Sequence, residues 1–365
     1  MPTKAKDIVI PPMGVFRLVF LYVGQGDATI LAVPNGNAFK YVLLDNNIDR
    51  KAGGIDTAKL LKDLLAGIGK LDVFMNTHPH ADHTEGLEAI QEAVGVKEVW
   101  HSGHNPGKGA DEAYQEMRRV IKAIGEENEY RFYGTNDRNK VRDADSETQL
   151  DKTLGDIAFQ VLSPAEYLCE EIADEDPKVR RRRIHEHCAV IRFSYGTPER
   201  HVMMTGDADR VAWEEHILDY HRAAVPADVL SAVHHGSRTF FKYHGNDKDV
   251  YEKHIEAIKP TYLIVSAPTQ AESAHGHPHD DAMTLYRNHV KEHNIYHTGG
   301  KRESVIVDIH PNGTIEVSLD TELVKAYGFA NEGGDGNKGK EIGAPAIITR
   351  RTTSIDSQPM GAGHE

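Results

Sequence analysis

Short apolar runs rich in branched and aromatic residues recur along the chain and predict strands, because such side chains suit a pleated, half-buried surface. The predicted strands are 16–23, 28–33, 40–44, 71–75, 96–100, 157–162, 189–193, 202–204, 229–233, 262–265, 304–309 and 314–318. The sequences Pro34-Asn35-Gly36-Asn37 and Pro311-Asn312-Gly313 each separate two of these runs and predict turns between paired strands.

Helical spacing of apolar residues fills several gaps between the strands. Leucines at 60, 61, 64 and 65 share one face of a helix that follows Asp56 and stops at Gly67. Further helices are predicted after Thr84, after Asp111, and over 213–218, 250–258 and 283–290. Because strands and helices alternate in two halves, the pattern predicts a layered α/β fold with its helices outside.

The pattern fades in two places. Residues 130–153 are polar and predict no element. Beyond Leu323 the chain becomes rich in Gly, Asn, Ser and Thr, a composition that cannot bury enough apolar surface to stay ordered. We therefore predict one folded unit over residues 1–323 and a flexible tail over 324–365.

Composition narrows the class of protein. Hydrophobic residues make up 39% of the 365 positions, enough for a sizeable core, yet no apolar run approaches the roughly 20 residues of a membrane helix. Residues 1–6 lack a basic-then-apolar signal pattern, so we expect a cytoplasmic protein without a membrane partner. The net charge of −14 excludes a generally basic nucleic-acid coat protein, so any nucleic acid would meet a local basic patch.

The balance of His and Cys indicates the kind of metal site to expect. Cys169 and Cys188 are the only cysteines, which argues against a disulfide framework, whereas histidines number 22. A metal site would then use nitrogen and oxygen ligands, which suits Zn, Mn or Fe.

The segment Thr77-His78-Pro79-His80-Ala81-Asp82-His83 places three imidazoles and one carboxylate between a predicted strand and a predicted helix. Alternate residues of an extended loop point the same way, so His78 and His80 can share one ion. Asp82 and His83 lie where the chain enters the helix and can face a second ion. The alternative is a polar loop that happens to be rich in His.

One loop cannot complete two coordination spheres, so further ligands are expected at other strand ends. Asp207, the pair His234-His235 and His277 each follow a predicted strand, and His187 precedes one. Each has an ordinary alternative, such as a helix cap for Asp207 or a core histidine for His234. Their repeated occurrence at strand ends favours a shared site.

These motifs resemble a known family. His78-Pro79-His80-Ala81-Asp82-His83 matches the HxHxDH signature of the metallo-β-lactamase superfamily. A finer resemblance is to the hydrolase domain of ComEC-type DNA-uptake proteins, through Val23-Gly24-Gln25-Gly26-Asp27, Leu43-Leu44-Asp45, Thr205-Gly206-Asp207, His234-His235-Gly236-Ser237 and Gly276-His277-Pro278 in that order. The resemblance spans roughly residues 16–318. It implies a four-layer αββα sandwich, but the membrane helices and oligonucleotide-binding domain of ComEC itself are not seen.

The resemblance implies a ligand set for two divalent ions, most simply Zn, with Mn as the alternative. His78, His80 and His187 would hold the first ion. Asp82, His83 and His234 would hold the second, with Asp207 between the two. Whether His234 or its neighbour His235 is the ligand is left open by the sequence. Asp27 and Asp45 would brace the metal loop rather than bind metal.

The implied reaction is hydrolysis by a hydroxide bridging two metals, with phosphodiester bonds as the first choice of substrate because ComEC-like domains are associated with nuclease activity. Asp82, His235 and His277 are the catalytic candidates. Substrate contacts are predicted for Ser237, Lys242, His279, Arg181 and Arg182, the last two within the basic run 178–183. A solvated loop is the alternative explanation of that run.

Three other functions remain open at this stage. One is hydrolysis of a small ester, lactone or phosphorylated metabolite on the same fold. The second, of a different class, is a non-catalytic binding module that has lost its metals. The third is an interaction protein that works through the tail 331–365. A nucleic acid or nucleotide is the expected partner, and the sequence gives no indication of oligomeric state.

Overall fold

Two β-sheets face each other and carry helices on their outer surfaces. The computed structural model describes residues 4–107, 112–168, 175–242 and 248–330. A ten-stranded sheet and a six-stranded sheet each contribute one face to a shared apolar layer. The resulting order of helix, sheet, sheet and helix is the four-layer αββα sandwich expected from the sequence.

The described strands are β1 (Phe16–Phe20), β2 (Thr29–Asn35), β3 (Ala38–Leu44), β4 (Leu71–Asn76), β5 (Val96–His101), β6 (Glu129–Arg131), β7 (Lys140–Asp143), β8 (Gln149–Asp151), β9 (Ala158–Ser163), β10 (Val190–Tyr195), β11 (Arg200–Met204), β12 (Val229–Ser231), β13 (Tyr262–Val265), β14 (Ile295–His297), β15 (Ser304–Ile309) and β16 (Ile315–Asp320). The first sheet has the order β16-β15-β1-β2-β3-β4-β5-β6-β7-β8, and the second has the order β14-β13-β12-β11-β10-β9. Strands β3 to β6 pair in parallel, as do β11 to β14, so the loops that follow these strands gather at one edge of each sheet.

Helices occupy most of the longer connections. The described α-helices are Ala5–Val9, Thr57–Leu64, Ala81–Thr84, Leu87–Val94, Glu112–Ile124, Pro177–Arg182, Leu218–Tyr220, Arg238–Phe241, Lys253–Ile258, Asp280–His289 and Glu322–Tyr327. A π-helical turn, Ala212–Ile217, leads directly into Leu218–Tyr220. Helix Thr57–Leu64 begins where the Asp56 carboxylate accepts a hydrogen bond from the Lys59 backbone N–H at 3.1 Å, as predicted for its cap.

Three apolar layers hold the four structural layers together. Successive residues of a strand point to opposite faces, so Leu18 is buried between the sheets while Val19 packs under the helices of the first sheet. Phe16 and Phe193 meet edge to face across the central layer, with ring centroids 6.4 Å apart. Trp213 lies in the third layer, beneath the helices that cover the second sheet.

The twelve predicted strands all occur, with ends displaced by up to three residues. The strands that the apolar pattern missed are β6, β7, β8 and β14, which are short and lie at or near sheet edges. Edge strands are partly solvated and need no continuous apolar run, which explains why the segment 130–153 gave no signal. The cap predicted at Asp111 lies outside the described residues.

The folded unit continues past the boundary predicted at residue 323. Helix Glu322–Tyr327 crosses that position, and Leu323 and Tyr327 are buried in the first apolar layer. The Tyr327 hydroxyl donates to Asp63 Oδ2 at 2.5 Å and accepts from the Ala5 backbone N–H at 2.9 Å. The ordered chain therefore extends at least to residue 330, and residues 331–365 lie outside the described part.

Among the described residues, no helix combines the length and apolar character needed to cross a bilayer. The cytoplasmic location expected from the sequence stays a prediction.

Candidate metal centre

Loops that follow parallel strands bring His and Asp side chains together at one edge of the sandwich. The loop after β4 carries His78 to His83, the turn after β11 carries Asp207, and the turn after β12 carries His234 and His235. Together with Asp27, which lies between β1 and β2, and His185, which precedes β10, side chains from these loops form two groups in which all ligand atoms lie within 4.8 Å of one another. The first group is His78, His80, His185 and Asp207, and the second is Asp27, His83, Asp207 and His235.

The first group has the spacing of a tetrahedral site. His80 Nδ1 lies 3.0 Å from His78 Nε2 and 3.2 Å from His185 Nε2. Asp207 Oδ2 lies 3.7 Å from His78 Nε2 and 3.8 Å from His185 Nε2. Ligands placed tetrahedrally around zinc at its usual bond lengths are separated by about 3.3 Å. Three imidazoles and one carboxylate oxygen thus converge on a volume suited to a divalent ion.

The second group is built around the other oxygen of the same carboxylate. Asp207 Oδ1 lies 3.3 Å from His83 Nε2 and 3.4 Å from His235 Nε2, and the two imidazole nitrogens are 3.2 Å apart. Asp27 Oδ2 is more distant, at 3.8 Å from His83 Nδ1 and 3.9 Å from His235 Nδ1. Asp207 therefore faces both groups, one oxygen to each.

A second observation, independent of the spacing, also indicates that these residues suit divalent ions. Asp207 Oδ1 is buried and accepts no hydrogen bond of good geometry. A buried carboxylate oxygen without a partner is costly, and a cation in the second group would satisfy it. Nitrogen and oxygen donors of this kind suit zinc and its neighbours, and the identity of the metal stays a prediction.

Asp45 lies outside both groups and orients one histidine of each. Its buried carboxylate accepts from the Thr77 backbone N–H at 2.7 Å, from Thr77 Oγ1–H at 2.6 Å and from His83 Nδ1–H at 2.8 Å. Thr77 Oγ1 in turn lies 3.2 Å from His78 Nδ1, and because its own proton goes to Asp45 it accepts from that imidazole. Both histidines consequently turn Nε2 toward Asp207, as bracing residues of metal sites commonly arrange.

The turn after β12 has an unusual backbone. His234 and His235 adopt φ values of 50° and 55°, and Gly236 follows at 75°, so three successive residues lie in the left-handed region. This conformation is costly for residues other than glycine. It allows His235 Nδ1–H to donate to the Ser266 carbonyl at 2.9 Å, which leaves Nε2 facing Asp207.

Charges within the second group reinforce one another. Burial disfavours an imidazolium at His83, but Asp207 and Asp45 outweigh burial and hold its pKa above the ordinary value. Burial likewise opposes the charged form of His235, yet Asp207 and Asp27 raise its pKa to about 9. Burial would raise the pKa of Asp207, but His234, His235 and His83 outweigh it and hold that pKa below the usual range. A metal entering this group would displace protons from these imidazoles.

The first group differs because burial and neighbouring imidazoles dominate. These effects lower the pKa values of His78 and His185. Both rings are therefore neutral at pH 7, which is the protonation state that a metal ligand needs.

His187, predicted as the third imidazole of the first site, lies outside both groups. Its ring packs edge to face against His104, with centroids 5.4 Å apart, and burial lowers its pKa to about 3. His185 takes the predicted place because the chain turns tightly between Arg183 and Cys188 and directs the two histidines differently. Both precede β10, so position along the chain did not distinguish them. The alternating His-x-His spacing was the signal that could have raised His185 as a candidate.

Two further predicted ligands, His234 and Asp82, lie beside the two ligand groups without belonging to either. His234 Nε2 is 3.4 Å from Asp207 Oδ2, on the side of the first group, while His235 occupies the second group where His234 was expected. Asp82 belongs to neither group, although its Oδ2 lies 3.6 Å from His235 Nε2. Asp27, expected only to brace the loop, instead has its carboxylate inside the second group.

His277 forms one wall of the centre. Its ring stacks on His235 with centroids 6.1 Å apart, and Gln25 Nε2 lies 3.4 Å from its Nδ1. Burial and the nearby histidines lower the pKa of His277 to about 3. The imidazole is therefore uncharged at neutral pH.

The predicted substrate-contacting residues fall into two sets. Near the His234 turn, Ser237 caps helix Arg238–Phe241, Lys242 pairs with Asp281 at 2.8 Å, and His279 Nδ1 accepts from the Arg238 backbone N–H at 3.2 Å. These three have structural partners of their own. Arg181 and Arg182 lie on helix Pro177–Arg182, three to four residues before His185, with Arg182 exposed.

Two cavities flank the centre. One, of about 170 Å³, is lined by His185, His234, Thr239 and Phe240 among others. The other, of about 280 Å³, borders Gln25 and Arg302. Because the first cavity reaches ligand side chains directly, a substrate group placed there would touch the centre.

Comparison with known proteins identifies the family. The family model of the metallo-β-lactamase superfamily matches residues 46–240, which is more than half of the chain and covers most of the candidate ligands. No curated protein has significant sequence similarity to the chain.

Several solved structures are similar in fold at low identity. A variant of the CmlA β-hydroxylase is 12% identical with a TM-score of 0.40, covering 79% of this chain, which spans 52% of that protein. The metallo-β-lactamase SMB-1 bound to 2-mercaptoethanesulfonate is 14% identical with a TM-score of 0.29, covering 66% of this chain and 90% of that one. Rubredoxin oxygen:oxidoreductase from Desulfovibrio gigas is 14% identical with a TM-score of 0.28, covering 53% of this chain and 39% of that one.

None of these comparisons singles out the ComEC-like group, which stays a prediction. The match over residues 46–240 is sufficient for the broader assignment, and the chain belongs to the metallo-β-lactamase superfamily.

Proposed function

We propose that this protein is a metal-dependent hydrolase that cleaves phosphodiester bonds. The observation that carries the proposal is the position of Asp207, whose Oδ2 faces three imidazoles of the first group while Oδ1 faces His83 and His235. One carboxylate shared between two ligand groups is an arrangement that suits a pair of hydrolytic metal ions held close together.

Bound divalent ions would supply a water molecule of lowered pKa and would neutralise charge on the phosphate oxygens. In the reaction, the water oxygen forms a bond to phosphorus and the bond from phosphorus to one ester oxygen breaks. Asp82, partly exposed beside His235, is placed to accept a proton from the attacking water.

His277, one of the catalytic candidates, is placed to bind the substrate rather than to donate a proton. With a pKa of about 3, its imidazole carries no acidic proton at neutral pH. Its N–H group can donate a hydrogen bond to a phosphoryl oxygen instead. The leaving oxygen would then take its proton from solvent at the exposed side, where His234 lies.

The choice of phosphodiesters rests on charge beside the centre. Helix Pro177–Arg182 carries four cationic residues and leads directly to His185. Lys178 and Arg182 are exposed, whereas Arg183 pairs with Glu175 and with Glu186. In a chain of net charge −14, this local concentration of positive charge is suited to a polyanionic substrate. The similarity of motifs to ComEC-like hydrolase domains points the same way.

A substrate panel tests the proposal. The zinc- or manganese-loaded protein would be assayed with linear DNA, RNA, a cyclic dinucleotide, bis(p-nitrophenyl) phosphate, p-nitrophenyl acetate and a lactone. We expect cleavage of the phosphodiesters, and loss of at least a hundredfold in kcat/KM in His80→Ala and Asp207→Ala.

The panel also separates the alternatives. Activity confined to the acetate or the lactone would replace phosphodiesters by small esters as the substrate class. Metal binding without hydrolysis of any substrate would favour a binding module. Full activity in His80→Ala or Asp207→Ala would show that the assigned metal centre does not carry out the hydrolysis.

A further inference from the structure

Outside the metal centre, two buried histidines point at one spot beside Gly134. A Cβ placed on Gly134 would lie 2.7 Å from His216 Nε2, 3.0 Å from His221 Nε2 and 2.9 Å from the carbonyl oxygen of Leu162. Two imidazole nitrogens and one carbonyl oxygen therefore converge beside a residue that has no side chain to keep them apart. None of these residues takes part in the proposed hydrolysis.

His216 lies in the π-helical turn Ala212–Ile217, which continues into the short α-helix Leu218–Tyr220, and His221 follows directly after that helix. In a regular α-helix, residues i and i+5 are separated by about 140° around the axis and diverge. At His221 the backbone leaves helical geometry, with φ −121° and ψ 16°, and the ring centroids of His216 and His221 lie 5.0 Å apart.

Hydrogen bonding prepares His221 as a ligand. Its Nδ1 lies 2.9 Å from Asn136 Oδ1, so Nδ1–H donates to the amide oxygen and Nε2 keeps a free lone pair. Metal-binding histidines are usually oriented by such a bond from the second ring nitrogen.

Both imidazoles lack partners where a ligand is needed. His216 and His221 are only 5% and 4% exposed, and neither Nε2 forms a hydrogen bond of good geometry. Burial lowers the pKa of both rings, to about 4 for His216, so both are neutral at pH 7. Buried nitrogens with unused lone pairs are costly unless something binds there.

We propose that His216, His221 and the Leu162 carbonyl oxygen form a further site for a divalent transition metal ion of the zinc, nickel or copper type. Imidazole nitrogen selects these ions over magnesium and calcium, and no carboxylate takes part in the convergence beside Gly134. The exposed rings of Tyr167 and Tyr220, 6.1 and 5.5 Å from His216, place the site close to the surface.

An ion at this site would connect three segments of the chain. His216 and His221 lie on the helical segment over the second sheet, Leu162 lies in β9, and Asn136 lies in the loop before β7. Because an ion that binds the folded state stabilises it, occupancy would raise the melting temperature.

The test compares metal content in matched variants of the full chain. Each protein would be dialysed against excess Zn²⁺, and bound zinc would be counted by mass spectrometry. We expect His221→Gln and Gly134→Ala to hold one equivalent less than the unaltered protein, with hydrolysis unchanged. Gly134 lies outside the left-handed backbone region, so its alanine variant acts by occupying the space. His80→Ala should lose metal at the main centre and keep this equivalent.

A second readout covers variants that fold poorly. Cu²⁺ binds imidazole more tightly than Zn²⁺, so Cu²⁺ that displaces zinc from this site should give a paramagnetic resonance signal split by two nitrogens. Asn136→Ala, which leaves both ligands in place, should weaken Cu²⁺ binding roughly tenfold or more. If His221→Gln and Gly134→Ala hold as much zinc as the unaltered protein, or if Asn136→Ala leaves Cu²⁺ binding unaffected, the proposal is overturned and a buried water is the occupant. Failure of the phosphodiesterase assay would not affect either result.

Discussion

Asp45 binds His83 Nδ1 at 2.8 Å from behind the centre and thereby aims His83 Nε2 at Asp207. Asp45 belongs to neither ligand group, yet it fixes His83 directly and His78 through Thr77. Its influence on metal binding is therefore indirect and measurable apart from the ligands themselves.

Replacing this carboxylate should weaken metal binding. In Asp45→Asn one oxygen becomes an N–H₂ group facing the Thr77 and His83 donors, so at least one of these contacts is lost. We expect zinc affinity to fall about 10- to 100-fold, measured by competition with a chromophoric chelator. Asp151→Asn, at an exposed carboxylate, is the matched control. Unchanged affinity in Asp45→Asn would mean that the His83 orientation is set elsewhere.

His185 lies in the first ligand group and His187 lies outside both groups, so replacing each by alanine should have different effects on metal content. His185→Ala removes a donor from the first group and should cost one zinc equivalent and most of the hydrolytic activity. His187→Ala should keep the full metal content, although loss of its packing against His104 would lower stability. Metal counting on both variants checks this, and the reverse pattern would restore the assignment predicted from the sequence.

Stability of the metal-free protein should depend on pH in a defined window. The folded pKa of His235 is about 9, above the unfolded value of about 6.5, and that of His83 is raised too. A raised pKa stabilises the fold fully below the unfolded value, and this contribution disappears as pH rises through the folded value. The melting temperature in chelator should therefore fall between pH 6.5 and 9.

Two controls accompany the pH series. His235→Gln removes one of the titrating groups and should show a shallower fall over the same range. Zinc-loaded protein should not lose stability in this window, because the metal takes the place of the displaced protons. A melting temperature in chelator that stays constant or rises from pH 6.5 to 9 would contradict the charge arrangement described for the second group.

The basic helix Pro177–Arg182 should contribute to the binding of long substrates only. Lys178→Glu with Arg182→Glu reverses two exposed charges beside the centre and should raise KM for an oligonucleotide roughly tenfold at low salt. The small ester bis(p-nitrophenyl) phosphate should be cleaved as before, because it does not reach the helix. Lys122→Glu with Lys325→Glu makes the same charge change elsewhere and should have little effect. Equal KM values for the oligonucleotide would remove the helix from substrate binding.

Much of the architecture followed from local patterns. Twelve strands and the layered fold were predictable because branched apolar runs and turn residues report on burial within a few positions. The convergence of the β4, β11 and β12 loops was also predictable, since parallel strands end at a common edge. The short strands β6 to β8 were missed because a partly solvated edge leaves no apolar run.

The details of the centre depended on backbone direction rather than spacing. The tight turn before β10 decides between His185 and His187, and the left-handed backbone at His234 and His235 decides which ring enters the second group. The nearby signals, which are the His-x-His spacing at residues 185–187 and Gly236 after the His pair, do not say which imidazole turns toward the centre. The His216 and His221 pair was missed because residues five apart diverge on a regular helix, and the sequence does not show that the helix ends at His221.

The left-handed backbone at His234 and His235 makes this loop less stable than a loop with glycine at both positions would be. Holding a side chain in that region costs on the order of 1–3 kcal/mol per residue, which glycine would relieve. Mutants selected solely for heat resistance should therefore accumulate glycine at positions 234 and 235. They would withstand higher temperatures but would lose the His235 imidazole from the second ligand group.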